Sequence, residues 1–152
     1  MMFLAPGTNS ITKYGTGPVP KDFAIHGTDA YVALWGAGSI EKIELQGGET
    51  TRLKTGAKTR GVAISADGTL GVATNFAADT VSFFDPKTMK ARGRVKACGA
   101  PRHAVFSSDS SSLWVSCYRS DEVVEIDPRH SGQVAVHPVV RPRPEHDHQR
   151  EL

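Results

Sequence analysis

Between residues 71 and 88 the chain reads Gly-Val-Ala-Thr-Asn, a polar break, then Thr-Val-Ser-Phe-Phe-Asp-Pro. Alternation of period two predicts half-buried strands, and Pro86, which has no N–H to extend a ladder, stops the second one. The same succession recurs in three copies. A short apolar strand is predicted at residues 23–25, 62–64 and 104–106, then a turn of Gly, Asp and Ser. An alternating strand follows at 31–34, 71–74 and 113–116, and a third at 40–45, 81–84 and 123–126. A more polar fourth strand is predicted at 50–53, 91–95 and 133–136. Arg60 to Arg102, Asp67 to Asp109 and Val81 to Val123 are equal intervals, whereas Val72 to Val115 is longer by a single position. That difference predicts an insertion in the turn between them. The first copy matches more weakly: the intervals from Lys21 to Arg60, Val32 to Val72 and Ile40 to Val81 each exceed the one before by a single position.

Four antiparallel strands repeated about every forty residues form a unit whose two apolar faces only neighbouring units can cover, which is the requirement of a β-propeller blade. The expected fold is therefore all-β, a partial β-propeller of about three four-stranded antiparallel blades in an open arc. Blades are expected at residues 18–56, 57–99 and 100–136. Residues 1–17 are read as the outer strand of an incomplete preceding blade, because residues 10–17 parallel the fourth strands downstream. Residues 137–152, rich in Pro, Arg, His and Glu, are expected to form a disordered tail. The competing arrangement is a β-sandwich, with Val62, Val81 and Val123 in two layers. An open arc exposes apolar flanks, so the chain is expected to be a fragment of a longer propeller or to close a ring by self-association.

Composition narrows the partners little. Eighteen Lys and Arg against sixteen Asp and Glu leave a net charge of +2, too small a field to argue for nucleic acid or membrane. No run approaches the roughly 20 apolar residues of a membrane span, and the opening residues lack the pattern of a signal peptide. Localisation is left open by the residues. Two cysteines are too few for a disulfide framework, so Cys98 and Cys117 are read as free thiols packed as small apolar groups. A disulfide between them is the alternative, since antiparallel geometry can bring both to one face of the third blade.

Aligning the copies places Lys21, Arg60 and Arg102 just before the inner strand, near one mouth of the central channel. Three cations converging there attract an anion, and Trp35 and Tyr118, at the end of the second strand, supply flat stacking surfaces. His103, beside Arg102, is the candidate general base or haem ligand at the same mouth, although no acid or nucleophile recurs at a telling distance from it. In the tail, His146, Asp147 and His148 form a weak metal-binding pattern. The chain has no phosphate-cradling glycine loop, nucleophile elbow or zinc spacing, so no cofactor or resident metal is expected.

The second copy resembles the YVTN-type β-propeller repeat through Asp67-Gly68, residues 72–75, Thr80-Val81, Asp85 and Thr88. The third copy keeps Pro101, Asp109, Val115, Val123 and Asp127 but has Cys117-Tyr118 where the pattern has Thr-Asn, and the first has Leu34-Trp35. This resemblance implies a binding or scaffold module, non-enzymatic, of a kind often exported. The Gly17-Pro18 and Gly38-Ser39-Ile40 segments are also similar to those of the lyase that opens streptogramin lactones, which implies the alternative of a lyase-like or lactonase-like enzyme remnant. Neither resemblance assigns a catalytic residue. The expected contact at the channel mouth is an anionic ligand or a protein partner.

Overall fold

The structure, a computed structural model, describes residues 2–4, 7, 11–129 and 134–138. Strands β1 (Met2–Leu4) and β2 (Ile11–Lys13) pair as a two-stranded sheet. The first four-stranded sheet holds β3 (Pro20–His26), β4 (Asp29–Leu34), β5 (Ser39–Glu44) and β6 (Thr50–Lys54). The second holds β7 (Thr59–Ile64), β8 (Gly71–Asn75), β9 (Thr80–Asp85) and β10 (Lys90–Lys96). The third holds β11 (Pro101–Phe106), β12 (Leu113–Cys117), β13 (Glu122–Ile126) and β14 (Val134–Pro138). Each sheet is an antiparallel meander in chain order, so every strand is linked to the next by a local turn. Because β14 runs to Pro138, strand covers residues 137 and 138 of the expected tail. Residues 139–152, with His146, Asp147 and His148, lie outside the described residues.

The turns repeat as chemistry as well as spacing. Asp67 accepts hydrogen bonds from the Ser65 hydroxyl (2.7 Å) and from the Thr69 N–H (3.0 Å) and hydroxyl (2.8 Å). Asp109 does the same with Ser107 (2.7 Å) and with Ser111 (3.0 and 2.8 Å). In the first sheet the corresponding connection is a tight turn, Gly27-Thr28, with Gly27 at φ 58°, a left-handed conformation that glycine adopts without strain. The shorter turn explains why the interval between the first and second copies widens across it, from Phe23–Val62 before the turn to Val32–Ala73 after it.

The expected insertion between the second and third copies is absent. Val62 pairs with Ala73 and Ala104 with Val115, while Asn75 pairs with Thr80 and Cys117 with Glu122, so the repeat interval is the same on both sides of the turn. Val115 therefore corresponds to Ala73, not Val72, and likewise Val32 corresponds to Ala73. Matching valine to valine slips the second strand by a single position, which in a strand exchanges the two faces.

Inner strand β7 packs against β3 on one side and β11 on the other, so the three sheets are arrayed about a common inner edge. Between the first and second sheets lie Tyr31, Ala33, Ile40, Val62, Ala73 and Phe84. Between the second and third lie Val72, Val81, Phe83, Val95, Leu113, Val115, Val124 and Ile126. Val62 and Val81 thus point into different inter-sheet layers, which rules out the two-layer sandwich. Each fully buried side chain of this size stabilises the arrangement by about 1.5–3 kcal/mol. Tyr14 packs on a third cluster of Ala30, Val32, Leu34 and Ile43, and its hydroxyl donates to the Leu45 carbonyl at 2.6 Å.

Cys98 and Cys117 are not free thiols: they form a disulfide, with Cα atoms 5.8 Å apart. The fourth strand returns the chain to the foot of β11, which places Cys98 beside the end of β12, within the usual span for such a bond.

Candidate functional site at the channel mouth

The inner strand of each four-stranded sheet carries a bulge near its start. In β3 the register jumps between Pro20 and Asp22, in β7 between Thr59 and Gly61, and in β11 between Pro101 and Ala104. The residues that fall in these irregularities are Lys21, Arg60, and Arg102 with His103. A bulge leaves a residue outside the regular pairing and re-aims its side chain. The interrupted ladder is repaired by hydroxyls on the second strand. The Gly61 N–H donates to Thr74 Oγ1 (2.8 Å) and the His103 N–H to Ser116 Oγ (3.2 Å). Thr74 in turn donates to the Arg102 carbonyl at 3.0 Å, tying the second and third bulges together.

Just before each bulge, Val19, Lys58 and Ala100 adopt φ of 54°, 58° and 55°. Their carbonyls accept the N–H of Trp35, Phe76 and Tyr118, at 3.0, 3.1 and 3.0 Å. One aromatic residue per sheet is thereby fixed beside one bulge cation. Sequence reading finds Trp35 and Tyr118 but misses Phe76, because the slipped alignment places Asn75 opposite them. The available signal was the repeat interval itself, since Phe76 precedes Tyr118 by the same step that separates Arg60 from Arg102.

Lys21, Trp35, Arg60, Phe76, Arg102 and Tyr118 together line a hollow of about 300 Å³. Its aromatic wall runs from Trp35 to Phe76 (centroids 5.2 Å apart) to Tyr118 (6.1 Å). Cations sit over the outer rings: Lys21 and Lys58 Nζ lie 5.8 and 5.4 Å from the Trp35 centroid, and the Arg102 guanidinium carbon lies 5.6 Å from that of Tyr118. Among the described residues no carboxylate forms an ion pair with Lys21, Arg60 or Arg102. Arg102 Nε is buried and has no acceptor among them. A guanidinium N–H removed from water without an acceptor is costly.

His103 is not part of this lining. It sits at the next position along the inner strand, more than half exposed, with Nδ1 3.9 Å from Asp22 Oδ2. Asp22 and Gly61 occupy the corresponding position in the first two sheets, and Asp22 Oδ2 also accepts the Val62 N–H at 3.2 Å. Asp22 is therefore the acid partner that sequence reading does not find for His103. It is remote in the chain, two blades upstream, beyond the reach of any local motif. Among the described residues no three His, Cys, Asp or Glu side chains are grouped to hold a metal ion, and no helix is long and apolar enough to cross a membrane.

No family model matches the chain, and no curated protein matches it in sequence. In three dimensions it is similar to Kuenenia stuttgartiensis hydrazine synthase, with a TM-score of 0.75 at 17% identity, over 88% of this chain and 39% of that one. The chain thus spans well under half of that protein. A likeness at this identity carries the fold and nothing about chemistry. Together with the sheet order, it establishes an all-β partial β-propeller of about three four-stranded antiparallel blades in an open arc.

Proposed function

We propose that the chain is a non-enzymatic binding module of the YVTN-like propeller type, which holds an anionic ligand at one mouth of its channel. The observation that carries this reading is the convergence of Lys21, Arg60 and Arg102 on one hollow without a compensating carboxylate among the described residues, against the aromatic wall of Trp35, Phe76 and Tyr118. Converging charges of one sign repel each other unless a counter-charge is bound, and the hollow is of a size that takes a small molecule or a short segment of a polyanion. The module works as part of a larger ring, in which further blades or a second copy cover the exposed Ile25 and Val105. The disulfide supports residence in an oxidising compartment, in keeping with an exported protein.

The test is binding of a single-stranded oligonucleotide at several salt concentrations, with the wild type and the Arg60→Ala/Arg102→Ala variant. Loss of two cations should weaken binding and flatten the slope of log K against log salt by about 1.4. An unchanged slope overturns the electrostatic reading.

A second reading, an enzyme remnant of the lyase or lactonase kind, is favoured by one observation only, the Asp22–His103 pair next to the hollow. A histidine 3.9 Å from a carboxylate is suited to act as a general base once the two close to hydrogen-bond distance. Hydrolysis of a simple lactone that disappears in His103→Gln would support it, and absence of turnover in the wild type would remove it.

A further inference from the structure

We propose that the Cys98–Cys117 bond is a positioning element of the channel mouth: it fixes the third cation–aromatic pair, Arg102 with Tyr118, and thereby sets the affinity of the hollow for an anion. This inference rests on the binding reading above.

The three blades solve the same local problem in three ways. Gly17, Gly56 and Cys98 fall at one position of the repeat, on the same spacing as Lys21, Arg60 and Arg102, and Cys117 corresponds by register to Asn75 and Leu34. In the first blade the pair is Gly17 and Leu34, so close that a Cβ on Gly17 would lie 2.5 Å from Leu34 Cδ1. In the second it is Gly56 and Asn75, where a Cβ on Gly56 would lie 2.9 Å from Asn75 Cγ. Asn75 Nδ2 also donates to Thr80 Oγ1 (3.1 Å) and Ser82 Oγ (2.8 Å), and Ser82 in turn donates to the Thr55 carbonyl (3.1 Å). In the third blade the contact is covalent.

The position of this pair explains what it controls. Cys117 immediately precedes Tyr118, and Cys98 opens the short loop that leads to Arg102. Within that loop the Gly99 and Ala100 carbonyls accept the N–H of Arg119 and Tyr118, both at 3.0 Å. The aromatic residues of the first two blades each lean on the ring of the next blade, Trp35 on Phe76 and Phe76 on Tyr118. Among the described residues no further ring follows Tyr118, which is 65% exposed. Tyr118 has a neighbouring ring, that of Phe76, on one side only among the described residues, and its blade is the one that carries the bond. Without the bond this loop is held by hydrogen bonds alone, including one from the Ala100 N–H to Asp79 Oδ1 at 2.8 Å, and the freedom that the loop and the exposed tyrosine then gain is lost at the moment of binding, at a cost in affinity.

Cleavage needs a dithiol reductant, which supplies two electrons and two protons. The S–S bond becomes two thiols while the reductant closes to its own cyclic disulfide. The experiment measures calorimetric binding of inorganic tripolyphosphate to the full chain in four forms. These are the oxidised protein, the protein reduced with dithiothreitol, Cys98→Ala/Cys117→Ala, and Cys98→Gly/Cys117→Asn, which copies the pair of the second blade. The expected result is binding by the oxidised form, about tenfold weaker binding by the reduced and double-alanine forms while their β-sheet circular dichroism persists, and recovery in the Gly/Asn form irrespective of reductant. Equal affinity of the oxidised form and either the reduced or the double-alanine form overturns the positioning role and leaves the bond a stabiliser only; should reduction unfold the protein, the contrast between the double-alanine and Gly/Asn variants decides. Absence of tripolyphosphate binding by the oxidised form sinks the binding reading itself, and this inference with it.

Discussion

The second blade and the outer flanks of its neighbours are built from the same strand pattern and differ in what lies against them. Val62 on β7 is 4% exposed and Ala104 on β11 is 7% exposed, whereas Phe23, at the same position of β3, is 54% exposed. On the other side Ala63 is 9% exposed while Val105, its counterpart on β11, is 63% exposed. The difference teaches that burial here belongs to the interface between sheets rather than to the strand. A blade presents apolar side chains on both faces, and only a neighbour removes them from water. Even a half-neighbour is enough over the area that it reaches: beneath Tyr14, Ala30, Val32, Leu34 and Ile43 are 0–2% exposed, on the same blade face as Phe23.

The largest test of this contrast is a pair of truncations. Phe84→Ala, which empties a fully buried site between the first two blades, should cost about 3–5 kcal/mol in urea unfolding. Val105→Ala, a truncation on the exposed flank, should cost less than about 0.5 kcal/mol. Comparable losses would mean that the flank is covered in solution. Covering by a second copy is tested next, by light scattering over a range of concentrations. Ring closure between copies predicts an association that Ile25→Ser/Val105→Ser abolishes with little change in the urea midpoint, and a concentration-independent monomer excludes it.

The smallest effect sharpens the comparison from the opposite direction, because the turns should not sense the flanks at all. The Ser65 hydroxyl and then the Thr69 N–H and hydroxyl hold the Asp67 carboxyl down at about 2. The Ser111 N–H, followed by the Ser107 and Ser111 hydroxyls, does the same for Asp109, also at about 2. A carboxylate whose folded value lies below its unfolded one contributes stability that is complete above the unfolded value, near 3.8, and is lost as pH falls through about 2. Asp67→Asn and Asp109→Asn should therefore each remove a similar, small part of the decline in melting temperature within that window. A clearly larger effect at one turn would show that the environment of its blade reaches the turn.

Much of this architecture could be read from the residues, and the failures have physical causes. Strands and turns were visible because proline, glycine and the Ser-x-Asp-x-Ser/Thr turns punctuate period-two alternation. The bulge cations were visible because Lys21, Arg60 and Arg102 keep their charge at one position of the repeat. The aromatic wall was legible only in part, since a slip by a single position sets Trp35 and Tyr118 against Asn75 and hides Phe76. The disulfide ranks below free thiols on cysteine count alone, although Cys98 and Cys117 fall where the second blade places Gly56 against Asn75. The Asp22–His103 pair has no local trace, because only the packing of the first blade across Gly61 toward the third brings it together.

The bulges carry a consequence for how such a surface can diversify. A side chain that stands outside the ladder answers to no cross-strand partner, so exchanging Lys21 or Arg60 for an acid, an amide or an aromatic group leaves the pairing of β3 and β7 intact. The scaffold and the side chains that it presents are thereby uncoupled, and the lining of the hollow can change one repeat at a time without renegotiating the sheet that holds it.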